Sequence, residues 1–360
     1  MSSLDICGRR LVNQHLVKQK LTAASDVVRL FGAVQAQDYA GAKWAIAQRT
    51  TGLTDADVER EITGGAILRT HVLRPTWHFV APTDIRWMLA LTGSRVKAIL
   101  AHHDRTLEID QTALRRSRAV FIKSLKDRTY LTRTELAVAL TKAGVRADGT
   151  ERLARLVMHA ELDGLICSGP RRGKQFTYAL LEERVPPAKD LGRDEALREL
   201  ALRYFSTRGP ATTDDFAWWS GLTKADAKNG VHAAESSLEH EVVQKRSYWF
   251  PATRAAKLKS PFVRLLPNYD EYFIGHKDRS AFHVHLSAAG VTKMPSALFG
   301  HVLIVDGQMV GGWDRALTTK SAVLTLKPRT RLSRDVRRAI DRETERFARF
   351  VGMPVSVRES

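Results

Sequence analysis

"YLTRTELAVALTKAGVRADGTERLARLVMHAELDGLICSGPRRGKQFTYAL" runs from Tyr130 to Leu180 and decides the fold. Thr132 stands three residues before Glu135, the capping-box spacing that opens a helix. Leu136 and Leu140 follow at helical spacing, and Leu153, Leu156, Val157 and Ala160 line one face of a second helix. A short strand, "GLIC", a polar turn, "SGPRRGK", and a second strand, "QFTYAL", complete the segment. Helix, helix, strand, turn, strand is the order of a winged helix-turn-helix. Its second helix is expected to turn Arg152, Arg155 and His159 outward, and its wing carries Arg171, Arg172 and Lys174.

The pattern recurs on both sides. Downstream, "TTDDFAWWSGL" reads as a short Thr-capped helix burying Phe216 and Trp219, and "TKADAKNGVHAAESSL" as a second recognition helix. "EVVQKRSYWFP" is its wing, with Lys245 and Arg246 at the tip. Upstream, "ASDVVRLFGAVQAQ" and "TDADVEREITGG" supply helices, and "AILRTHVLRPTWHFV" supplies a strand pair expected to break at Arg74–Pro75. After Pro261 the character becomes strand-rich. Asp306–Gly307, set between apolar runs, signals a type I′ hairpin. A basic helix, "SRDVRRAIDRETERFARFVGM", follows, and its arginines at 334, 338, 342 and 346 form a drifting row interleaved with acids. The expected fold class is therefore α+β: tandem winged helix-turn-helix units with a C-terminal β-rich domain. The expected boundaries are 1–100, 101–190 and 191–258 for the three units and 259–360 for the last domain.

The chain has 360 residues, with 57 basic against 39 acidic side chains, a net charge of +18. Such an excess points to a polyanion, with duplex DNA ahead of an acidic membrane. A high-pI enzyme with solvated charges is the plain alternative. No apolar run spans a membrane, and "MSSLDICGRRLVN" has no signal-type apolar core. Cys7 and Cys167 are isolated, which suits a reducing cytoplasm, here one in which the protein sits on the bacterial nucleoid. The twelve histidines keep no metal-ligand spacing and no glycine-rich phosphate loop is present, so no metal and no cofactor is expected. No heptad or dimer face appears, and a monomer is the expectation.

One short stretch resists the helical pattern. In "LFGAVQAQDYAGAKW", Leu30 to Trp44, Gln35 and Gln37 stand two apart. In a helix such residues point to nearly opposite faces. They share a task only if the chain leaves the helix around Ala36, which the following Asp38 and Gly41 permit. The plain alternative is a frayed helix end with two solvated amides.

The sequence resembles the AlkZ-like family of winged-helix DNA glycosylases. The resemblance rests on "VQAQ" (34–37), "LRPTWHFV" (73–80), "LRYFSTRGPATTDDFAWWSGL" (202–222), "LLPNYDEYFIGHKDRS" (265–280) and "VDGQMVGGW" (305–313), which keep the family's order over most of the chain. It implies three tandem winged helices plus a β-rich domain around a concave basic surface. It implies excision of bulky N-alkylated purines, including one side of an interstrand cross-link. The family's Gln-x-Gln motif falls on Gln35 and Gln37, and a sister branch with Asp at the second position is not matched. Where the family commonly has glycine and a smaller apolar residue, this chain has Pro75 and Trp77, which bears on the size of lesion admitted.

Glutamine does not titrate and is no ordinary general base. A cationic base such as N7-alkylguanine departs readily, however. The protein then needs to hold a water and place amide dipoles near an oxocarbenium-like sugar, which two glutamines can do. Thr76 and His78 alternate on one face of their strand and are expected to support the pair; a satisfied core histidine is the competing use of His78. Lys43, near the motif, reads as a solvated lysine rather than a nucleophile, so the enzyme is expected to be monofunctional. The Val305–Trp313 hairpin is either a probe of the duplex or an ordinary sheet element. The competing functions are a non-catalytic DNA-binding regulator on the same fold and a protein–protein adaptor.

Overall fold

The computed structural model describes residues 4–17, 21–188, 190–253, 259–284 and 300–360. Helix α1 (Ile6–Asn13) precedes α2 (Ala24–Phe31). The apolar stripe of α2 does not continue to Val34 as helix: Gly32 takes φ 73°, a left-handed value that ends the helix, and the chain enters strand β1 (Ala33–Gln35). Helix α3 (Tyr39–Ala47) starts at an Asp38 cap, and α4 (Asp55–Gly64) at a Thr54–Asp57 capping box. Strands β2 (Leu68–Val72) and β3 (Arg74–Val80) follow. Their break lies at Leu73, with φ 64°, not at Arg74–Pro75, because Pro75 needs no N–H in an exposed position of β3. The sheet order is β1-β3-β2, and Gln35, His78 and Thr70 fall in one cross-strand row.

The long α5 (Ile85–Thr106) leads to α6 (Gln111–Leu125), β4 (Leu131–Thr132), α7 (Arg133–Lys142), α8 (Thr150–Leu162), β5 (Ile166–Ser168) and β6 (Thr177–Leu180). From α7 to β6 this is the element order expected for Tyr130–Leu180; the two-residue β4 was not expected, and the three strands lie in the order β4-β6-β5. Phe121, Leu136, Leu140, Leu156 and Ile166 form its core. A short α9 (Leu181–Arg184) connects to α10 (Arg193–Arg208), α11 (Thr213–Ser220), α12 (Lys224–Ala234) and the hairpin β7 (Glu239–Val243) and β8 (Arg246–Phe250). Gly230 lets α12 approach α10: a Cβ there would stand 3.0 Å from the Leu197 carbonyl. Phe216 and Trp219 are fully buried, as expected.

Strand β9 (Val263–Leu266), helix α13 (Glu271–Ile274), strands β10 (His301–Val305), β11 (Gln308–Leu317) and β12 (Ala322–Pro328), helix α14 (Arg334–Val351) and strand β13 (Val355–Glu359) complete the chain. The sheet order is β13-β12-β11-β10-β9, with β13 parallel to β12. One apolar cluster joins this sheet and α14 to the first helices: Phe347 and Phe350 pack on Trp44, whose Nε1 donates to the Leu265 carbonyl at 2.8 Å. The hairpin at Asp306–Gly307 has the expected left-handed φ values, 50° and 81°. Gly307 is packed against Cys7, Leu11 and Tyr272, and Trp313 is buried. Of the arginine row on α14, Arg334, Arg338 and Arg342 are exposed, whereas Arg346 donates to the carbonyls of Ala47 and Gln48. Among the described residues no helix is long and apolar enough to cross a membrane.

Candidate active site

The Gln35–Gln37 segment is held by its neighbours rather than by its own propensity. Arg208 donates to the carbonyls of Phe31 and Ala33 at 3.1 and 2.8 Å. The Gln35 N–H donates to Oε1 of Glu271 at 2.8 Å. Glu271 Oε2 accepts from Arg208 and from Trp219 Nε1, so this carboxylate, 1% exposed, ties α13, α10 and α11 to β1. The Ala36 N–H donates to the Trp77 carbonyl at 2.7 Å, and the Ala36 carbonyl accepts from Arg69. Asp38 caps α3 and pairs with Arg315 at 2.8 Å. The segment is therefore non-helical throughout, so the helical spacing that would send the two glutamines to opposite faces does not apply; Gln37 reaches the cleft described below, whereas Gln35 does not line it.

The two side chains differ in exposure. Gln35 is 4% exposed, and its Oε1 accepts from Arg74 Nη2 at 2.8 Å. Gln37 is exposed, and its Oε1 lies 3.4 Å from the Trp77 N–H, where the β1–β3 ladder opens. Gln37 lines a cleft of about 130 Å³ with His71, Pro75, Trp77, Arg133 and Tyr178. An adjoining cleft of about 270 Å³ shares Trp77, Arg133 and Tyr178 and adds Arg69 and Lys174. Arg69 lies 4.2 Å from the centroid of Trp77, so this tryptophan forms a wall of the cleft rather than filling it. Burial brings both Arg69 and Arg74 down to about 10, which leaves each charged at neutral pH.

His78 is fully buried beside Gln35 in register, and burial followed by the Arg74 charge holds its imidazole neutral, well below the ordinary value. Its Nδ1 lies 2.9 Å from the Thr76 carbonyl, to which the neutral ring donates. His78 Nε2, Thr76 Oγ1 and Thr70 Oγ1 are buried with no hydrogen-bond partner among the described residues. Of these three residues His78 pairs with Gln35 in register and Thr70 with His78, and such unmatched buried polar atoms suit ordered water.

Several expected contacts are corrected. Arg152 and Arg155 do not face outward. Arg155 pairs with buried Asp104 at 2.7 Å, which also holds His159 at 2.9 Å, and Arg152 donates to the carbonyls of Leu107 and Glu108. The reason is that α8 packs on the end of α5, whose last carbonyls and buried carboxylate need donors. Lys43 is not solvated but 4% exposed, and its Nζ lies between Asp55 and Glu59 at 2.8 and 2.7 Å. Arg171 is half-buried against Glu59, while Arg172, paired with Glu135, and Lys174 are exposed between β5 and β6. Lys245 and Arg246 are exposed at the β7–β8 turn, Arg246 paired with Asp278. Sequence reading missed Arg69, Arg74 and Arg133, and also Trp218, 39% exposed with Arg74 and Arg279 each 5.9 Å from its ring. Nothing local marks them; their position depends on the sheet register and on α11. Among the described residues no group of His, Cys, Asp and Glu could hold a metal ion.

A sequence profile described as "DNA glycosylase AlkZ-like" matches residues 28–350. The chain is 25% identical over 366 aligned positions to a Streptomyces sahachiroi protein named "Interstrand DNA cross-link repair glycosylase", covering 96% of this chain and 95% of that one. The solved structure of Streptomyces sahachiroi DNA glycosylase AlkZ superposes with a TM-score of 0.78 at 22% identity, covering 98% of each chain, and so shares its fold.

Proposed function

Because the chain belongs to the AlkZ-like DNA glycosylase family, we propose that it hydrolyses the N-glycosidic bond of cationic N-alkylated purines of the N7-alkylguanine type in duplex DNA, with Gln35 and Gln37 as the catalytic pair. The observation that carries this reading is the clamped Gln35–Ala36–Gln37 segment, which opens at Gln37 into a cleft bordered by Arg133, with Lys174 and Arg69 on the adjoining cleft. A positively charged purine needs little help to leave. Fixed amide dipoles and a positioned water supply the remaining stabilisation of the sugar cation. Thr76 and His78 support Gln35 from below. The exposed wing residues Arg172, Lys174, Lys245 and Arg246 hold the phosphates, and Arg171 braces the first wing.

The reaction is monofunctional: Lys43, the lysine nearest the motif, is saturated by two carboxylates. The protein acts as a monomer on DNA. The Streptomyces relative's name motivates a cross-linked duplex as a second substrate. The test is incubation of N7-methylguanine and cross-linked duplexes, followed by alkaline cleavage at the abasic site, with borohydride present in a parallel arm. Gln35→Ala and Gln37→Ala are each expected to lose excision while retaining DNA binding. Wild-type excision by both variants would leave a DNA-binding protein without this chemistry, and a borohydride-trapped complex would replace water with an amine nucleophile.

A further inference from the structure

Two glutamines leave one task unassigned: taking the proton from the attacking water. Strand β2 alternates, so Arg69 and His71 share the face on which Trp77 lies, opposite the face of Gln35, His78 and Thr70. His71 stacks on Trp77 with ring centroids 4.5 Å apart. Its Nδ1 is hydrogen-bonded to Oε2 of Glu161, a carboxylate of α8 that is 1% exposed. With Nδ1–H directed at that carboxylate, the lone pair resides on Nε2. Nε2 makes no hydrogen bond among the described residues, and the ring lines the same cleft as Gln37.

The other candidate acceptors are occupied or walled off. Glu271 accepts from Gln35, Arg208 and Trp219, and Asp38 is taken by the α3 cap and Arg315. Glu59 holds Lys43, Tyr39 and Arg171. His78 is sealed inside the sheet. The Tyr178 phenol lines the cleft, but burial raises it far from any range in which it would accept a proton at neutral pH.

We propose that His71, oriented by Glu161, is the proton acceptor of the hydrolytic step, an assignment that rests on the glycosylase reading above. The water oxygen bonds to C1′ of the deoxyribose while one water proton passes to Nε2 of His71. The C1′–N bond breaks, and its electron pair goes to the departing purine, cancelling the positive charge there. The imidazolium is held by the Glu161 carboxylate until its proton returns to solvent. Gln37 positions the water, and the imidazole supplies the basic lone pair that an amide lacks. The charged and titratable groups around the ring are Glu161 of α8, Arg69 of β2, His78 of β3, Arg133 of α7 and Tyr178 of β6.

The experiment is single-turnover excision of N7-methylguanine from duplex DNA by the full chain across a series of pH values, corrected for spontaneous loss of the base. Wild type is expected to slow on the acid side. His71→Asn is expected to lose roughly 100-fold at neutral pH and to flatten that acid limb. Glu161→Gln, which keeps an acceptor for Nδ1–H but removes the charge, is expected to lose less and to displace the limb. Thermal unfolding and DNA affinity are measured alongside. An acid limb missing from wild type overturns the proposal without any variant, so misfolding of His71→Asn cannot shelter it. A His71→Asn enzyme with the wild-type rate, or with a rate lowered equally at every pH, also overturns it. Wild type that excises nothing would instead strike the glycosylase reading itself.

Discussion

Glu271 accepts the backbone N–H of Gln35 across 236 residues of sequence, at 2.8 Å and out of contact with water. The same carboxylate neutralises Arg208, which is itself fully buried and holds the carbonyls of Phe31 and Ala33. A buried pair contributes little net stability, but breaking one half strands the other charge. Glu271→Gln is expected to cost about 3–5 kcal/mol in denaturant unfolding. Glu271→Gln combined with Arg208→Met is expected to recover part of that loss, because no bare cation remains. Strictly additive losses in the two single variants and the double variant would show that the pair is not coupled.

The β5–β6 connection and helix α8 separate cleanly. Lys174 and Arg172 are exposed, whereas Arg155 is spent on Asp104. Lys174→Ala and Arg172→Ala are each expected to lower DNA affinity and to reduce the slope of log affinity against log salt by about 0.9, with the melting temperature unchanged. Arg155→Ala is expected to do the reverse: about 3–5 kcal/mol of lost stability from an unpaired buried carboxylate, and no change of salt slope in the folded fraction. Fluorescence anisotropy at several salt concentrations and thermal unfolding check both halves.

What was legible in the sequence was local. The capping box at Thr132, the threonine cap of the Phe216 helix and the turn at Asp306–Gly307 state their geometry within four residues, and each stands where the sequence places it. Strand β1 was not legible, because Val34 continues the apolar spacing of α2. Its strand conformation comes from Gly32 and from pairing with β3, some 43 residues later at His78. The outward reading of Arg152 and Arg155 failed for the same reason: an arginine on a helix is solvated by default, and Asp104 that buries Arg155 lies 51 residues away. Strand β13 went unread because its short, largely exposed alternation gains its pairing from β12 alone. The glutamines were visible as an oddity of spacing. Their clamps, Glu271, Arg69 and Arg74, were not.

Arg74 bears on chemistry more than on folding. Its Nη2 fixes the Gln35 amide oxygen at 2.8 Å, and its guanidinium leans toward exposed Trp218. Removing it frees an amide whose orientation the proposed mechanism needs, and misplacement by about 1 Å costs on the order of 100-fold in rate. Arg74→Met is therefore expected to slow single-turnover excision by roughly 10- to 100-fold, with a smaller loss of DNA affinity. A variant that binds weakly but cuts at the wild-type rate once saturated would assign Arg74 to phosphate binding instead.

Acid should loosen this protein through its buried imidazoles. His301 stacks on Trp313 at 4.5 Å, and its Nδ1 accepts the Asn268 N–H at 2.8 Å. Burial, then the nearby Arg315, lowers it to about 4. His78 and His276 are displaced in the same direction, again chiefly by burial. Because the folded value lies below that of an unfolded histidine, about 6.5, the unfolded chain takes up the proton first. Stability is thus complete above about pH 6.5 and falls as pH drops toward the folded value, where the native ring protonates as well. For His301 the full excursion amounts to at most about 3 kcal/mol. His301→Gln keeps an acceptor for Asn268 but removes the titration, so its melting temperature is expected to fall less steeply than wild type between about pH 6.5 and pH 4. The slope should shrink rather than vanish, since His78 and His276 remain. Parallel curves for the two proteins would place the acid sensitivity elsewhere.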